Sequence, residues 1–254
     1  MKALVGRCHV EPVMGMAISI DVRDPALSSN QLDSAIATCV AWLHRVDEVF
    51  STYKADSEIS RLGRGELALS DCCQDVREVL RRCDDLRRET DGYFDARASD
   101  SRMLDPSGLV KGWAVQRASE LLTAAGSAHH CINAAGDIAV VGGAEPGRPW
   151  RVGISHPLER DALCAVVDIS DGAVATSGVA ERGLHVYDPH SGRPAVDLAS
   201  VTIVGADLGT TDAYATAALA MGLAAPAWLE RLDGYSAYVV DATGHAWWTS
   251  SWPG

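Results

Sequence analysis

Apolar residues recur with two different periods along this chain. Over residues 10–22, VEPVMGMAISIDV, they alternate with polar ones apart from an irregularity at Gly15, which predicts a strand. Leu32, Ile36, Cys39, Val40, Leu43, Val46 and Phe50 then follow at helical spacing behind Ser and Asn residues suited to capping the first turn. Val76, Val79, Leu80, Cys83 and Leu86 mark a second amphipathic helix whose Arg and Asp residues form its solvated side. A third helix is predicted in WAVQRASELLTAAG, closed by Gly126 as a left-handed C-cap. Beyond it, HCINAAGDIAVVGG, WRVGIS, ALCAVVDIS, AVATSG, LHVYDP and VTIVGAD read as strands. A helix from Asp212 to near Gly222, a short one after Pro226 and a closing hairpin in YSAYVVDATGHAWWTS complete the chain. Helices in front and strands behind predict an α+β fold, with mixed sheets and flanking helices. We expect one compact two-lobed unit over 1–254, helix-rich to about residue 126 and strand-rich from 127.

Composition narrows the partners. The 254 residues are 47% hydrophobic, enough for a substantial core. A net charge of −12 disfavours nucleic acid and anionic membranes, so an anionic ligand needs a local device: a metal ion, a helix N-terminus or a placed lysine. The seven cysteines are scattered, odd in number and without a CxxC pair, which fits a reducing compartment. MKALVGRCHVEP lacks an apolar run of signal-peptide length. The most apolar stretch, DAYATAALAMGLAAPAWL, is Ala-rich and broken by Pro226, which favours a buried helix over a membrane span. The expectation is a cytoplasmic protein without membrane insertion.

Four places offer chemistry. Asp212 and Thr216 lie one helical turn apart, where two hard oxygen donors suit Mg²⁺ and where a capping Asp and a packed Thr would look the same. LDPSGLVKG combines Asp105, a bend and Lys111 ahead of a helix, a setting for phosphate or an ordinary capped loop. TDGYFDAR carries Tyr93 and Phe94, as core anchors or as a wall for a flat ligand. His185, in GLHVYDPHSGRP, reads from local pattern alone as either a packing residue or a proton acceptor. The GxxxxGK[ST], GxSxG and HExxH signatures are absent, and the glycines near 136–143 do not form GxGxxG.

Taken in order, MGMAISI, FSTYKADSEISRL, TDGYFDAR, LDPSGLVKGWAV, NAAGDIAVVG, WRVGISHP, VATSG, HVYDPHSGRP, SVTIVGA and TDAYATAALAMG resemble the blocks of the FAD:protein FMN transferases, the ApbE-type flavin transferases. The resemblance runs from about residue 13 to residue 222. It implies Mg²⁺-dependent transfer of FMN from FAD to a Thr or Ser hydroxyl in a Ser/Thr-rich segment of an acceptor protein, with AMP leaving. It further implies that Met14, Tyr53, Tyr93, Phe94, Asp95, Asp105, Lys111 and Val186 contact FAD. By the same resemblance Asp212, Thr216 and the Gly108 carbonyl hold the metal, and His185 takes the acceptor hydroxyl's proton. The chain departs from the family pattern at Asn133-Ala134-Ala135-Gly136-Asp137, where Gly-Gly commonly precedes the acid, at Val110, and in short stretches after Arg97 and Gly178. Two other outcomes use the same pocket: Mg²⁺-dependent hydrolysis of FAD to FMN and AMP, and flavin binding without turnover.

Overall fold

The alternation over residues 10–22 resolves into two strands rather than one. β1 (Arg7–Val13) and β2 (Met16–Val22) pair antiparallel. Between them Met14 (φ 57°) and Gly15 (φ 74°) form a two-residue turn in the left-handed region, which matches the twist of a hairpin. The same device, Ala135 (φ 49°) and Gly136 (φ 94°), joins β3 (His130–Ala134) to β4 (Asp137–Val141). In this computed structural model residues 6–97, 104–179, 183 and 186–253 are described.

The helices form where the apolar spacing places them, with two changed starts. α1 (Ser29–Phe50) is opened by a reciprocal cap: Ser28 Oγ accepts the Gln31 N–H, and the Gln31 side chain accepts the Ser28 N–H. A short α2 (Glu58–Gly63), capped by Ser57, has too few residues to declare a period. α3 (Gln74–Glu89) buries Val76, Val79, Cys83 and Leu86 and leaves Leu80 half-buried. α4 (Ser107–Ala124) begins well before Trp113, with Pro106 as its N-cap; just ahead of it, inside the loop-like LDPSG, the Asp105 carboxylate takes the Ser107 N–H at 3.0 Å in a side-chain turn. Gly126 (φ 96°) follows its last turn.

Three further strands come before the next helix pair. β5 (Trp150–Ser155) and β6 (Leu163–Ile169) form a hairpin, and β7 (Gly172–Gly178) follows it. β8 (Tyr187–Asp188) and β9 (Arg193–Pro194) form a second small hairpin, and β10 (Leu198–Gly205) leads into α5 (Leu208–Met221). α6 (Ala225–Leu229), β11 (Ser236–Asp241) and β12 (Ala246–Trp248) close the chain.

Eight strands make one antiparallel sheet in the order β1-β2-β3-β4-β7-β10-β11-β12. The expected α+β class is therefore found. α1, α4 and α5 pack on this sheet, and its apolar side chains, among them Ile18 and Ile20 of β2 and Val201 and Ile203 of β10, join theirs in the main core. A second core lies under the β5–β6 hairpin, whose Trp150, Val152, Ile154, Val167 and Ile169 pack against Val140 and Val174. α5 is buried on every side except at half-buried Thr216, which is why it shows no amphipathic stripe. Its cap is Asp207, which accepts the Thr210 N–H at 2.8 Å. Asp212 thus sits inside the helix and does not cap it.

One histidine is fully structural. His130 is buried on β3 between the hydroxyls of Ser119 (2.7 Å) and Ser127 (3.1 Å), and burial pulls its pKa down to about 4. The seven cysteines are free thiols. Burial pushes Cys39, Cys83 and Cys131 up to about 12. Among the described residues no helix is long and apolar enough to cross a membrane.

Candidate active site

Two glycines set the site by letting α4 and α5 touch. A Cβ on Gly112 would lie 2.5 Å from the Leu208 carbonyl oxygen and 3.0 Å from Asp212 Cβ. A Cβ on Gly209 would meet the Trp113 backbone at 3.3 Å. One turn earlier, a Cβ on Gly108 would stand 3.3 Å from Phe94 Cε2 and 3.7 Å from Thr216 Oγ1. The glycines that suggest a loop in the sequence are therefore helical residues selected for close approach. Their absence of side chains brings Lys111 to Asp212 and leaves Gly108 between Phe94 and Thr216.

The charges at this crossing are nearly dry. Asp137, the first residue of β4, is completely buried; its Oδ1 accepts the Thr176 N–H at 3.2 Å and its Oδ2 forms an ion pair with Lys111. The Lys111 ammonium is also 3.9 Å from Asp212 Oδ1. Burial, and then the neighbouring Asp137 carboxylate, push the Asp212 carboxyl well above the usual range, while Lys111 and the Gly112 N–H pull the other way. Asp212 Oδ2 is buried with no hydrogen-bond partner among the described residues. Such an orphaned carboxylate oxygen is costly in a folded chain unless a cation or proton completes it. Thr216 Oγ1 lies 3.1 Å from the Ser177 hydroxyl of β7, so α5 presents an acid and an alcohol on one face beside Gly108.

Other residues singled out in the sequence surround this centre or stand away from it. Phe94 is buried, with its N–H on Thr90 Oγ1 at 2.9 Å, and Tyr93 beside it is half-buried. Asp95 takes Arg87 at 3.3 Å and the Arg97 N–H at 2.9 Å. Asp105 lies just ahead of α4 with its carboxylate on the Ser107 N–H. Val186 is half-buried and its carbonyl accepts the Ala195 N–H at 2.9 Å. Met14 packs on the main core from the β1–β2 turn. Tyr53, in the loop after α1, is 99% exposed. His185 lies outside the described residues.

Sequence reasoning assigned no role to Asp137 or Ser177. Asp137 carried one signal, an acid at the head of an otherwise apolar strand, but its partner Lys111 is distant in the chain. A further polar link passes between α3 and α5: Tyr214 donates to Glu89 at 3.0 Å, and Arg82 reaches Glu89 at 2.6 Å and Thr210 at 3.2 Å.

These positions fall within a known family. The ApbE family model matches residues 14–101 and 96–239. The chain belongs to the ApbE family. It is 28% identical over 156 residues to the FAD:protein FMN transferase of Salmonella typhimurium, a match covering 58% of this chain and 45% of that protein. The enzyme of the same name from Rhodobacter capsulatus is 36% identical over 127 residues, covering 47% of this chain and 24% of that protein. The matched stretches thus span less than half the length of these relatives. The solved flavin transferase ApbE from Vibrio cholerae superposes with a TM-score of 0.83 at 22% identity, covering 97% of both chains. The ApbE protein of Thermotoga maritima gives 0.84 at 20%, again covering 97% of both. These structural matches show that the fold is shared.

Proposed function

We propose that this protein transfers the FMN half of FAD to a Thr or Ser hydroxyl in a Ser/Thr-rich segment of an acceptor protein, releasing AMP. The observation that carries this reading is the buried α4–α5 crossing, where Asp212, Thr216 and Gly108 converge beside Lys111 with one Asp212 oxygen unpartnered. In the reaction the acceptor hydroxyl oxygen bonds to the phosphorus that carries riboflavin. The bond from that phosphorus to the bridging oxygen breaks, and AMP leaves with the electron pair. His185 takes the hydroxyl proton, the part a positioned imidazole plays as a general base.

Mg²⁺ fits this donor set. Among the described residues no three His, Cys, Asp or Glu side chains are placed to share a metal ion. The candidate ligands are instead one carboxylate, one hydroxyl and the Gly108 carbonyl, all hard oxygens of the kind Mg²⁺ takes together with water and substrate phosphates. Bound there, the ion would offset the pyrophosphate's charge, which otherwise repels an incoming oxygen. Lys111, held by Asp137, supplies a second positive charge for the phosphates. Met14, Tyr53, Tyr93, Phe94, Asp95, Asp105 and Val186 are proposed FAD contacts. We assign the whole chain to one functional unit, because the main sheet takes strands from both its ends. The free thiols support a cytoplasmic setting. The test is incubation with FAD and Mg²⁺, with and without an acceptor: FMN bound to the acceptor supports transfer, free FMN and AMP alone indicate a hydrolase, and unchanged FAD indicates a binding protein.

A further inference from the structure

The β8–β9 hairpin stands outside the main sheet, and its tip carries an imidazole aimed at another loop. That tip is self-braced: the Gly192 N–H bonds the Asp188 carbonyl at 2.8 Å, and the His190 N–H bonds Asp188 Oδ1 at 2.9 Å. From it the His190 side chain reaches the turn after α3. Its Nε2 donates to the Asp91 carbonyl at 3.0 Å, and its ring meets Tyr93 edge-on with centroids 4.5 Å apart. Asp91 (φ 51°) and Gly92 (φ 85°) are both in the left-handed region, so this turn is a tight reversal that presents Tyr93 and Phe94.

We propose that His190 is a positioning residue for FAD: it clamps the hairpin that follows His185 and Val186 onto the turn that carries Tyr93 and Phe94. The inference rests on the flavin reading above. Both clamped segments belong to that reading, and His190 ties them through two contacts of its own without entering either core. An Nε2–H donor to a carbonyl persists in neutral and protonated imidazole alike, so the clamp does not depend on the charge of the ring. Without it the two loops sample other arrangements, and the apparent FAD affinity falls by the fraction still competent to bind. Saturating FAD selects the ordered arrangement again, so turnover at saturation is largely retained.

His190→Ala, His190→Gln and His190→Phe in the full chain test this. The expected result for His190→Ala is a KM for FAD raised on the order of fivefold, the worth of one net hydrogen bond, with kcat within about twofold. Faster amide exchange should appear in residues 91–93 and 186–195 together, with little change in melting temperature. His190→Gln, which restores an N–H donor, should recover most of the affinity; His190→Phe, which keeps only the ring contact, should not. A parent protein that leaves FAD unchanged overturns the flavin reading and the clamp's role in it. An active parent whose His190→Ala variant keeps its KM and its exchange rates overturns the clamp alone. Loss of stability and turnover together, unrescued by glutamine, would make His190 merely structural and overturns the clamp as well.

Discussion

Replacing Gly112 with alanine places a methyl group 2.5 Å from the Leu208 carbonyl oxygen and 3.0 Å from Gly209 Cα and Asp212 Cβ. Carbon–oxygen contacts settle near ~3.3–3.6 Å, so α4 and α5 must part by about 1 Å. The neighbours are helix backbone and not the end of a flexible side chain, so relief has to come from moving a helix. Overpacking of this kind costs about 1–3 kcal/mol. Alanine's better helix propensity returns about 1 kcal/mol. With rigid neighbours the upper part of the first range applies, leaving a net loss of about 2 kcal/mol, or about 4–8 °C in melting temperature for a chain of this size. The effect on turnover should be larger, because Lys111 and Gly108 move with α4 while Asp212 and Thr216 stay on α5, and a misplacement near 1 Å can cost about 10²-fold. Thermal melts and FAD turnover on the same preparations make the assay, with Gly209→Ala as a milder comparison whose nearest contact is 3.3 Å. A Gly112→Ala protein as stable and active as the parent would refute the reasoning.

Asp212→Asn should fold at least as stably as the parent, since it removes an orphaned buried acid, yet lose Mg²⁺ binding and turnover; full activity would end the metal assignment. Thr216→Ala should likewise weaken Mg²⁺ binding, as measured by titration of activity with the ion. Lys111→Met should destabilise by about 3–5 kcal/mol by stranding the buried Asp137 charge, and adding Asp137→Asn should recover part of that loss in urea melts. His130 takes a proton near pH 6.5 when unfolded and only near 4 when folded, so the unfolded chain binds the extra proton between those values. Its contribution is present above about 6.5 and is lost as pH falls toward 4, to a total of about 3 kcal/mol; a His130→Asn variant whose stability falls just as steeply over that window would contradict this.

Elements whose signal is local could be read from the sequence. α1 and α3 declare themselves through one-sided apolar spacing, and Gly126 through its place after a helical run. The β1–β2 hairpin did not, because its turn is Met14-Gly15, with no polar residue to interrupt the alternation. The start of α4 reads as a loop because Pro106, Gly108 and Gly112 are loop signals until the neighbouring helix is known. α5 has no polar face, so Asp212 resembles a cap until Asp207 is seen to fill that role. The pairing of Asp212 with Thr216 follows from helical spacing alone. Lys111–Asp137 and His190–Asp91 depend on contacts between distant segments, and no local pattern encodes them.

The central claim is best tested by mass spectrometry of an acceptor protein bearing a Ser/Thr-rich segment, after incubation with this protein, FAD and Mg²⁺, alongside AMP quantification. The account predicts an acceptor carrying FMN on a hydroxyl, one AMP released per FMN attached, and neither product with Asp212→Asn. An unmodified acceptor accompanied by equal free FMN and AMP, or the same modification from the Asp212→Asn protein, would contradict it.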